Sequence, residues 1–344
     1  MRRSHMLLTT VCVALAVAAA LPAVALASWV KEASGTTRPL NAISFVDTLH
    51  GWAVGGSGSI AIVRHTSDGG LTWRSQATGA HHALHAVCFV DRLHGWAVGD
   101  GGTIVRTTDG GATWRKQSSR TTKPLLSVFF KNTHYGWAGG DSGALPNGGV
   151  LLRTTDGGAT WVKTALHGRS GPSAIVFVSR THGWLATVGK LALPSVVLHT
   201  VDGGRTWTQV WSFQGPNPGN IDQIGLSGGA TGNASHGWIV GGYYSSMSAT
   251  GGEILLKTVN GGRSWSQYTF GTGATGRRMN AVAALGTLKA WAVGSAGRTM
   301  HTFNGGTGWA TPASGTSRTL LGTDFVDAHH GWACGNHGVL LRWT

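Results

Sequence analysis

Cysteine is scarce in this sequence of 344 residues, which contains three. Cys12 lies in an apolar N-terminal segment, so Cys88 and Cys334 are the two that remain in the rest of the chain. A disulfide requires Cα atoms within about 7 Å of each other, and these two residues fall in different copies of the repeat described below. We therefore expect two free thiols rather than a disulfide framework.

Acidic residues are also few, with 13 against 27 lysines and arginines and a formal net charge of +14. Glu32 and Glu253 are the two glutamates. A glycosidase needs two carboxylates about 5–10 Å apart, and only Asp100, Asp141 and Glu253 are plausible members of such a pair, because we place all three in loops of one face. Catalysis is therefore not expected.

Long apolar runs occur at one place, residues 1–27. A basic "MRR" is followed by the apolar "MLLTTVCVALAVAAAL" and by Ala25–Ala27, which fits an A-x-A cleavage site. This order is typical of a secretory signal peptide. Residues 28–344 contain no second run long enough for a transmembrane helix. We expect an exported protein (secreted, periplasmic or on the cell surface) with a single domain over residues 28–344.

Glycine and tryptophan are abundant, with 55 and 16 residues, and they recur in a regular pattern. One motif, "HGWAVG" and its variants, places tryptophans 41 to 54 residues apart, at Trp52, Trp96, Trp137, Trp184, Trp238, Trp291 and Trp332. The other, "TTDGGATW", ends at a second series of tryptophans. A period of about 40–50 residues is typical of stacked or radial repeats.

Each repeat contains four short runs rich in Val, Ile, Thr and Trp, bounded by Gly, Asp or Asn, which favours four β-strands. Seven such units predict an all-β, seven-bladed propeller. The last repeat stops at "LLRWT" in its third strand, and the segment "SWVKEASGTTRPL" after residue 27 supplies the missing fourth. Trp29 would then complete the last blade and close the ring, which removes exposed sheet edges.

Features present in every repeat are interpreted as structural. The acidic turns provide one carboxylate each, too few oxygens for calcium, so no metal site and no cofactor are expected. The residues at this turn position are Asp68, Asp109, Asp156, Asp202, Asn260 and Asn304. The histidines before the GW motif are interpreted as turn residues, namely His50, His94, His182, His236 and His330. A basic series precedes the Asp turn and is interpreted as pairing with the turn or with strand-end carbonyls, namely His65, Arg106, Arg153, His199, Lys257, His301 and Arg342.

The repeated "GW…G…G.I..T.DGG.TW" pattern resembles the Asp-box (BNR) propellers and, among them, most of all the photosystem II stability and assembly factor family. The resemblance covers residues 28–344 and implies a seven-bladed propeller. Members that act in photosystem biogenesis are lumenal factors that hold a membrane-protein precursor, and for other members the resemblance implies an exported binding propeller. Asp-box propellers also include sialidases, but their Arg-Ile-Pro segment does not occur here.

Binding residues are expected where the repeat breaks down or where charge accumulates. The loops that lead into the innermost strands carry a basic ring without nearby acids: Arg38, His82, Arg120, Lys123, Arg169, Arg277, Arg278 and Arg318. Such a ring could bind carboxylates or phosphates, although solvated cations that never converge would look the same. The fifth repeat carries a long "GGYYSSMSATGGE" segment, in which Tyr243 and Tyr244 either recognise a protein or are buried in a Gly/Ser-rich insertion.

These observations favour a monomeric, non-catalytic binding or scaffold propeller. Its partner would be a protein or an anionic envelope polymer, because the chain is strongly basic and export argues against nucleic acid. Peripheral membrane contact stays open. The alternative is a propeller that binds or hydrolyses glycans.

Overall fold

The computed structural model describes residues 28–141, 149–166, 169–189, 194–213, 223–231, 235–245, 250–273 and 277–344. The predicted signal peptide and residues 246–249 of the fifth repeat lie outside the described residues. Seven antiparallel sheets form a ring, so the predicted seven-bladed β-propeller is confirmed.

The strands of each blade are named A to D from the central channel outward. Strands A are β2 (Leu40–Phe45), β6 (Leu84–Phe89), β10 (Ser127–Phe130), β14 (Pro172–Phe177), β18 (Gln223–Thr231), β22 (Met279–Leu285) and β25 (Leu320–Phe325). Strands B are β3 (Gly51–Ser57), β7 (Gly95–Gly99), β11 (Gly136–Asp141), β15 (Gly183–Thr187), β19 (Gly237–Ser245), β23 (Lys289–Gly294) and β26 (Gly331–Gly335).

The outer half of each blade follows the same order. Strands C are β4 (Ile60–Thr66), β8 (Ile104–Thr107), β12 (Gly149–Thr154), β16 (Ser195–Thr200), β20 (Thr250–Thr258), β24 (Thr299–Thr302) and β27 (Leu340–Trp343). Strands D are β5 (Arg74–Ser75), β9 (Arg115–Gln117), β13 (Val162–Thr164), β17 (Thr208–Phe213), β21 (Ser266–Gly273) and, for blade 7, β1 (Trp29–Glu32). In blade 6 the outer edge is a single bridge between His301 and Ala310.

Helical structure in the described residues is limited to three short 3₁₀ turns in B–C loops, at Asp100–Gly102, Ser295–Gly297 and Asn336–Gly338. None of these is long and apolar enough to cross a membrane.

The N-terminal strand closes the ring. Strand β1 pairs antiparallel with β27, with Trp29 opposite Trp343 and Glu32 opposite Leu340. The buried Trp29 ring lies edge-on against Phe325, as Trp73 does against Phe45 in blade 1. The last blade is therefore built from both ends of the described chain, as the repeat pattern predicted.

Neighbouring blades are joined through the GW tryptophans. Trp52 of blade 1 stacks on Phe89 of blade 2, with ring centroids 3.6 Å apart, and its indole N–H donates to the Gly110 carbonyl at 3.1 Å. A Cβ on Gly95 would lie 2.3 Å from the Phe89 ring, so this phenylalanine requires the glycine of the GW motif. The same stack recurs at four other seams, Trp96–Phe130, Trp137–Phe177, Trp291–Phe325 and Trp332–Phe45.

Both cysteines are free thiols. Cys88 lies on strand β6, where its sulfur accepts the Phe130 N–H of blade 3 at 3.3 Å, and burial raises the pKa of this thiol to about 11. Cys334 is fully buried in β26, and burial raises the pKa of its thiol as well. High pKa values make thiolates rare at neutral pH, so neither group is suited to nucleophilic chemistry.

Candidate binding face

The ring has two faces that differ in their loops. The D–A and B–C loops share one face, here called the loop face, and are joined by hydrogen bonds such as Asp100 N–H to Ala83 O at 3.0 Å. The A–B turns and the Asp boxes of the C–D turns share the other face, here called the Asp-box face. There Gly69 N–H donates to Leu49 O at 2.9 Å, which joins the two turn types within a blade.

Most of the basic ring is exposed on the loop face. The exposed members are Arg38, His82, Arg120, Arg277, Arg278 and Arg318. Arg38 donates to Ser57 Oγ at 2.8 Å and the His82 ring lies against Gly101, so these two side chains lie over the B–C loops of their own blades. They come from the same offset before strand A, which places them at equivalent radial positions around the channel mouth.

Two residues predicted to belong to the basic ring are less exposed than the others. Lys123 is half-buried. Arg169 is also half-buried, and its guanidinium donates to Gln209 on the outer strand β17 at 3.3 Å. Arg120, although exposed, occupies a left-handed backbone conformation with φ of 52°, in the position that Gly35, Gly79 and Gly315 hold in other blades. The exposed basic side chains of the ring therefore lie in the D–A loops that lead into blades 1, 2, 3, 6 and 7.

Polar groups line the inner end of this mouth. Asn41 donates to Leu84 O and Asn280 to Leu320 O, each at 2.7 Å and each across a blade seam. His85, at the equivalent position of blade 2, contacts Asp100 at 2.7 Å through Nε2. The acid nearest the channel mouth in blade 2 is thus already paired.

The three candidate catalytic acids are placed differently from the sequence interpretation. Asp100 lies in a B–C loop as predicted, but Asp141 is the last residue of strand β11 and Glu253 lies within strand β20. Glu253 is 1% exposed and forms an ion pair of 3.2 Å with Arg298 of blade 6. Its loop assignment was wrong because β19 and β20 extend to nine residues each.

The same extension changes the setting of the blade 5 tyrosines. Tyr243 and Tyr244 were predicted in a long loop, but both lie in strand β19, opposite Gly252 and Gly251 of β20. Tyr243 is half-buried, with its ring 6.1 Å from that of Phe213 in blade 4. The alternative interpretation placed this tyrosine buried in a Gly/Ser-rich insertion; the structure instead has Tyr243 half-buried at a blade seam, on an extended strand.

The Asp boxes form hydrogen-bonded turns. Asp109 accepts the hydroxyl and the N–H of Thr113 and the hydroxyl of Thr107, and these bonds lower its pKa to about 2. In Asp68, burial raises the pKa, but equivalent bonds from Thr72 and Thr66 outweigh it and bring the value to about 2. Asn260 and Asn304 accept the matching N–H groups in blades 5 and 6.

The histidines of the A–B turns are held by their own turns. The Nδ1 atoms of His50, His94 and His330 lie within 3.0 Å of Asp47, Asp91 and Asp327, respectively. His182 instead contacts Thr181 Oγ1 at 2.9 Å. Each of these histidines is paired within its own turn.

The basic series before the Asp turn packs on the GW tryptophans, which sequence reasoning did not anticipate. His65 and His199 stack on Trp52 and Trp184. The Arg106 guanidinium lies 5.3 Å from the Trp96 ring centroid, a cation–π geometry. Lys257 additionally donates to the Gly305 carbonyl, in line with the predicted pairing. The alternation of side chains along the strands could have indicated this contact, because the basic residue and the GW tryptophan lie on the same face of the blade.

One half-buried acid was not assigned a role from the sequence. Asp324 on β25 lines the central channel and accepts the N–H of Phe45 in blade 1 at 2.7 Å. Burial raises its pKa to about 6, although the N–H groups of Phe45 and Phe325 lower it. Ser44 accepts the Phe89 N–H at the equivalent position of the next seam, so the repeat alignment could have identified this role.

Among the described residues, no cluster of three or more His, Cys, Asp or Glu side chains could hold a metal ion. The site is thus an exposed basic surface around a polar channel mouth. It is suited to electrostatic binding of an anionic group.

Comparisons with known proteins agree with this architecture. The sequence pattern of the photosynthesis system II assembly factor YCF48 matches residues 77–170 and 119–233. No curated protein matches the sequence.

Solved structures share the fold over nearly the whole chain. YCF48 bound to a D1 peptide has a TM-score of 0.66 and 18% identity and covers 92% of this chain and 96% of that one. YCF48 from Cyanidioschyzon merolae has a TM-score of 0.64 and 22% identity, with coverage of 92% and 98%. The GH74 xyloglucanase from Xanthomonas campestris has a TM-score of 0.62 and 14% identity, with coverage of 92% and 53%. The chain is a seven-bladed BNR propeller that resembles the photosystem II assembly factor YCF48.

Proposed function

We propose that this protein is an exported, non-catalytic assembly or scaffold propeller that holds an acidic segment of an envelope or membrane-associated protein on its loop face. The observation that carries the proposal is the exposed set of cations around the channel mouth, Arg38, Arg277, Arg278 and Arg318 among them. A YCF48 propeller of the same fold is described as bound to a D1 peptide, which supports a protein partner.

The physical basis is additive charge. A single exposed arginine contributes little to binding, but several around one mouth raise the local potential and concentrate an anionic partner. Arginine also binds carboxylates through two parallel hydrogen bonds. Since screening acts over about 8–10 Å at ionic strengths of 0.1–0.15 M, the affinity should fall steeply with salt.

Affinity capture from the native envelope, with the chain from Ser28 as bait, identifies the partner. The variant R38Q/R277Q/R278Q/R318Q should then bind it far more weakly, while its melting temperature stays nearly unchanged because exposed substitutions usually cost within about 0.5 kcal/mol.

The charge-matched control is R74Q/R115Q/K116Q/K163Q, four exposed cations on or beside the outer strands. Equal losses in the two variants would mean that only net charge matters. No loss in either would place the partner elsewhere on the ring.

Glycan hydrolysis is the alternative, supported by the shared fold of the GH74 enzyme. The buried, arginine-paired Glu253 argues against it, because a side chain 1% exposed cannot contact a polysaccharide. The variant D100N/D141N should therefore leave partner binding intact. Turnover of a xyloglucan or sialoside by the wild-type protein, lost in this variant, would put the enzyme hypothesis first.

A further inference from the structure

Charge is divided unevenly over the Asp-box face. Blades 7, 1 and 2 present five acids there, Asp47, Asp68, Asp91, Asp109 and Asp327. In blades 4 to 6 the equivalent positions hold uncharged residues, Ser179, Asn260, Gly286 and Asn304. Asp202 is the one acid among the described residues of this face in those three blades.

Cations occupy the same sector. Arg205 and Arg263 are exposed directly after the two glycines of the Asp box, where the first three blades have Leu71, Ala112 and Ala159. Lys289 replaces the turn histidine in blade 6, with its ammonium 5.9 Å from the Phe303 ring centroid. The sector is thus positive, whereas blades 7, 1 and 2 are negative even when Arg92, which pairs with Asp47, is counted.

Exposed apolar side chains lie between these cations. Val201, Val259 and Phe303 directly precede the Asp or Asn of their boxes, and they are 59%, 55% and 48% exposed. In the first three blades, this position holds Ser67, Thr108 and Thr155, all polar.

A fourth apolar side chain joins them. Leu288 is 54% exposed on the neighbouring turn, which is joined to the Asp box by Gly305 N–H to Leu288 O at 2.9 Å. Leu288 has exposed counterparts in Leu49 and Leu93 of blades 1 and 2. The change from polar to apolar that coincides with the change from acidic to basic is therefore the one at Val201, Val259 and Phe303.

We propose that this basic apolar sector, formed by Val201, Arg205, Val259, Arg263, Leu288, Lys289 and Phe303, contacts the surface of a bilayer that contains anionic lipids. Apolar side chains on turn tips can insert between headgroups, and the flanking cations gain attraction from anionic lipid. The five acids on the opposite side of the ring are repelled, so the propeller would bind by one edge. The loop face, on the other side of the ring, stays free for a protein partner.

Vesicle sedimentation with the chain from Ser28 tests this proposal. This chain contains every strand of the ring and lacks the apolar residues 1–27, which would bind vesicles themselves. It should bind vesicles of phosphatidylcholine mixed with phosphatidylglycerol, in a salt-dependent manner, and bind pure phosphatidylcholine weakly.

Two variants separate the apolar and electrostatic contributions. V201T/V259T/F303T introduces the polar residues of blades 2 and 3, and R205A/R263A introduces their alanines. Each should lower the partition coefficient on mixed vesicles about tenfold or more. The matched control L49T/L71A/L93T removes three leucines of similar exposure, 48%, 57% and 53%, from the acidic sector, and it should bind as the wild type does.

The proposal is overturned if the wild-type chain does not bind the mixed vesicles, or if the control loses as much affinity as the sector variants. Poly-glutamate serves as a competing probe. If it binds through Arg205 and Arg263 while vesicles do not bind, the sector takes an acidic protein and the membrane proposal is wrong. Loss of partner binding in the loop-face variant would leave these results unchanged, so the two proposals fail independently.

Discussion

The five seams between consecutive blades 6, 7, 1, 2, 3 and 4 differ from the two seams around blade 5. In the first group a phenylalanine at the end of strand A stacks on the GW tryptophan of the preceding blade. In blades 5 and 6, Thr231 and Ala284 occupy the phenylalanine position. There the D-strand tryptophan contacts the GW tryptophan directly, as in the edge-on pair Trp238–Trp309 at 5.7 Å.

This difference shows that the repeat is a coupled set of contacts. Phenylalanine, glycine, tryptophan and the Asp-box carbonyl depend on one another at the regular seams. Where the phenylalanine is lost, the indole nitrogens of Trp184 and Trp238 have no hydrogen-bond partner among the described residues, and the same is true of Trp291, whose seam keeps the stacked Phe325. The same arc carries the asparagine boxes, the extended blade 5 strands and the basic apolar sector. Packing constraints and surface chemistry therefore change together.

The largest effect is expected from opening the ring at its closing strand. A chain that starts at Leu40 lacks β1 and the buried Trp29, so blade 7 loses its outer strand and an edge is exposed. Thermal and chemical unfolding, together with light scattering, should show loss of cooperative folding or aggregation. Cooperative unfolding at the wild-type temperature would contradict the closure.

The second prediction compares the two kinds of seam. Phe89→Ala removes a buried ring that contacts Trp52 and Trp114, and we expect it to lower the free energy of unfolding by about 3–5 kcal/mol. Chemical denaturation measures this loss.

The irregular seam provides the converse experiment. Ala284→Phe alone should be destabilising, because Ala290 places a Cβ where the regular blades have glycine. Adding Ala290→Gly should recover part of the loss, with a coupling energy of about 1 kcal/mol or more in a double-mutant cycle. Strict additivity would show that the phenylalanine and glycine are not coupled.

The sequence was sufficient for the blade number, the closure and the turn positions, because each is carried by a motif that recurs in every blade. The Thr-x-Asp-Gly-Gly turn, for example, needs its own residues alone to form its hydrogen bonds. The setting of Glu253 and Tyr243 was not predictable in this way, because the length of β19 and β20 depends on pairing between strands. The stacking of His65 on Trp52 was missed for a related reason: alternation predicts a shared face but not which side chains touch.

The exposure of the loop cations was also not predictable from the repeat pattern. Arg38 and Arg169 look alike as loop cations in the sequence, yet one is exposed and the other bonds to Gln209. The direction of a long side chain depends on neighbours that the repeat alignment does not specify.

The third prediction concerns Asp324 at the seam that closes the ring. Burial raises the pKa of Asp324 to about 6 from an ordinary 3.8, so the folded state favours the protonated form. Stability from this group is therefore full below about pH 4 and is lost as the pH rises through 6. Asp324→Asn keeps an oxygen for the Phe45 N–H and removes the charge.

The Asp324→Asn variant should be more stable than the wild type at pH 7, by up to about 3 kcal/mol, and similar to it at pH 4. Melting temperatures across this range measure the difference, and the common titration of the histidines cancels between the two proteins. A difference that does not change with pH would mean that Asp324 is ionised throughout.

The smallest effect is expected from exchanging the box residues of the two arcs. In blade 1, the Thr72 N–H and hydroxyl donate to Asp68, and Asp68→Asn replaces the second, charge-assisted bond with a weaker neutral bond from the amide N–H to the Thr72 hydroxyl. By analogy with helix caps, the cost at pH 7 should be about 1 kcal/mol. Because the pKa of Asp68 is lowered to about 2, this contribution is present above about pH 4 and is lost as the pH falls through 2.

In blade 5, Asn260 donates to Ser264 Oγ, so in Asn260→Asp the Ser264 hydroxyl must rotate to become the donor. Asn260→Asp should then leave the free energy of unfolding nearly unchanged at pH 7 and should make the protein lose stability at acid pH. Unfolding at pH 7 and near pH 2 measures both variants. If Asp68→Asn costs the same at both pH values, the turn is stabilised by its backbone alone, and the asparagine boxes of blades 5 and 6 are equivalent to the aspartate boxes in all but surface charge.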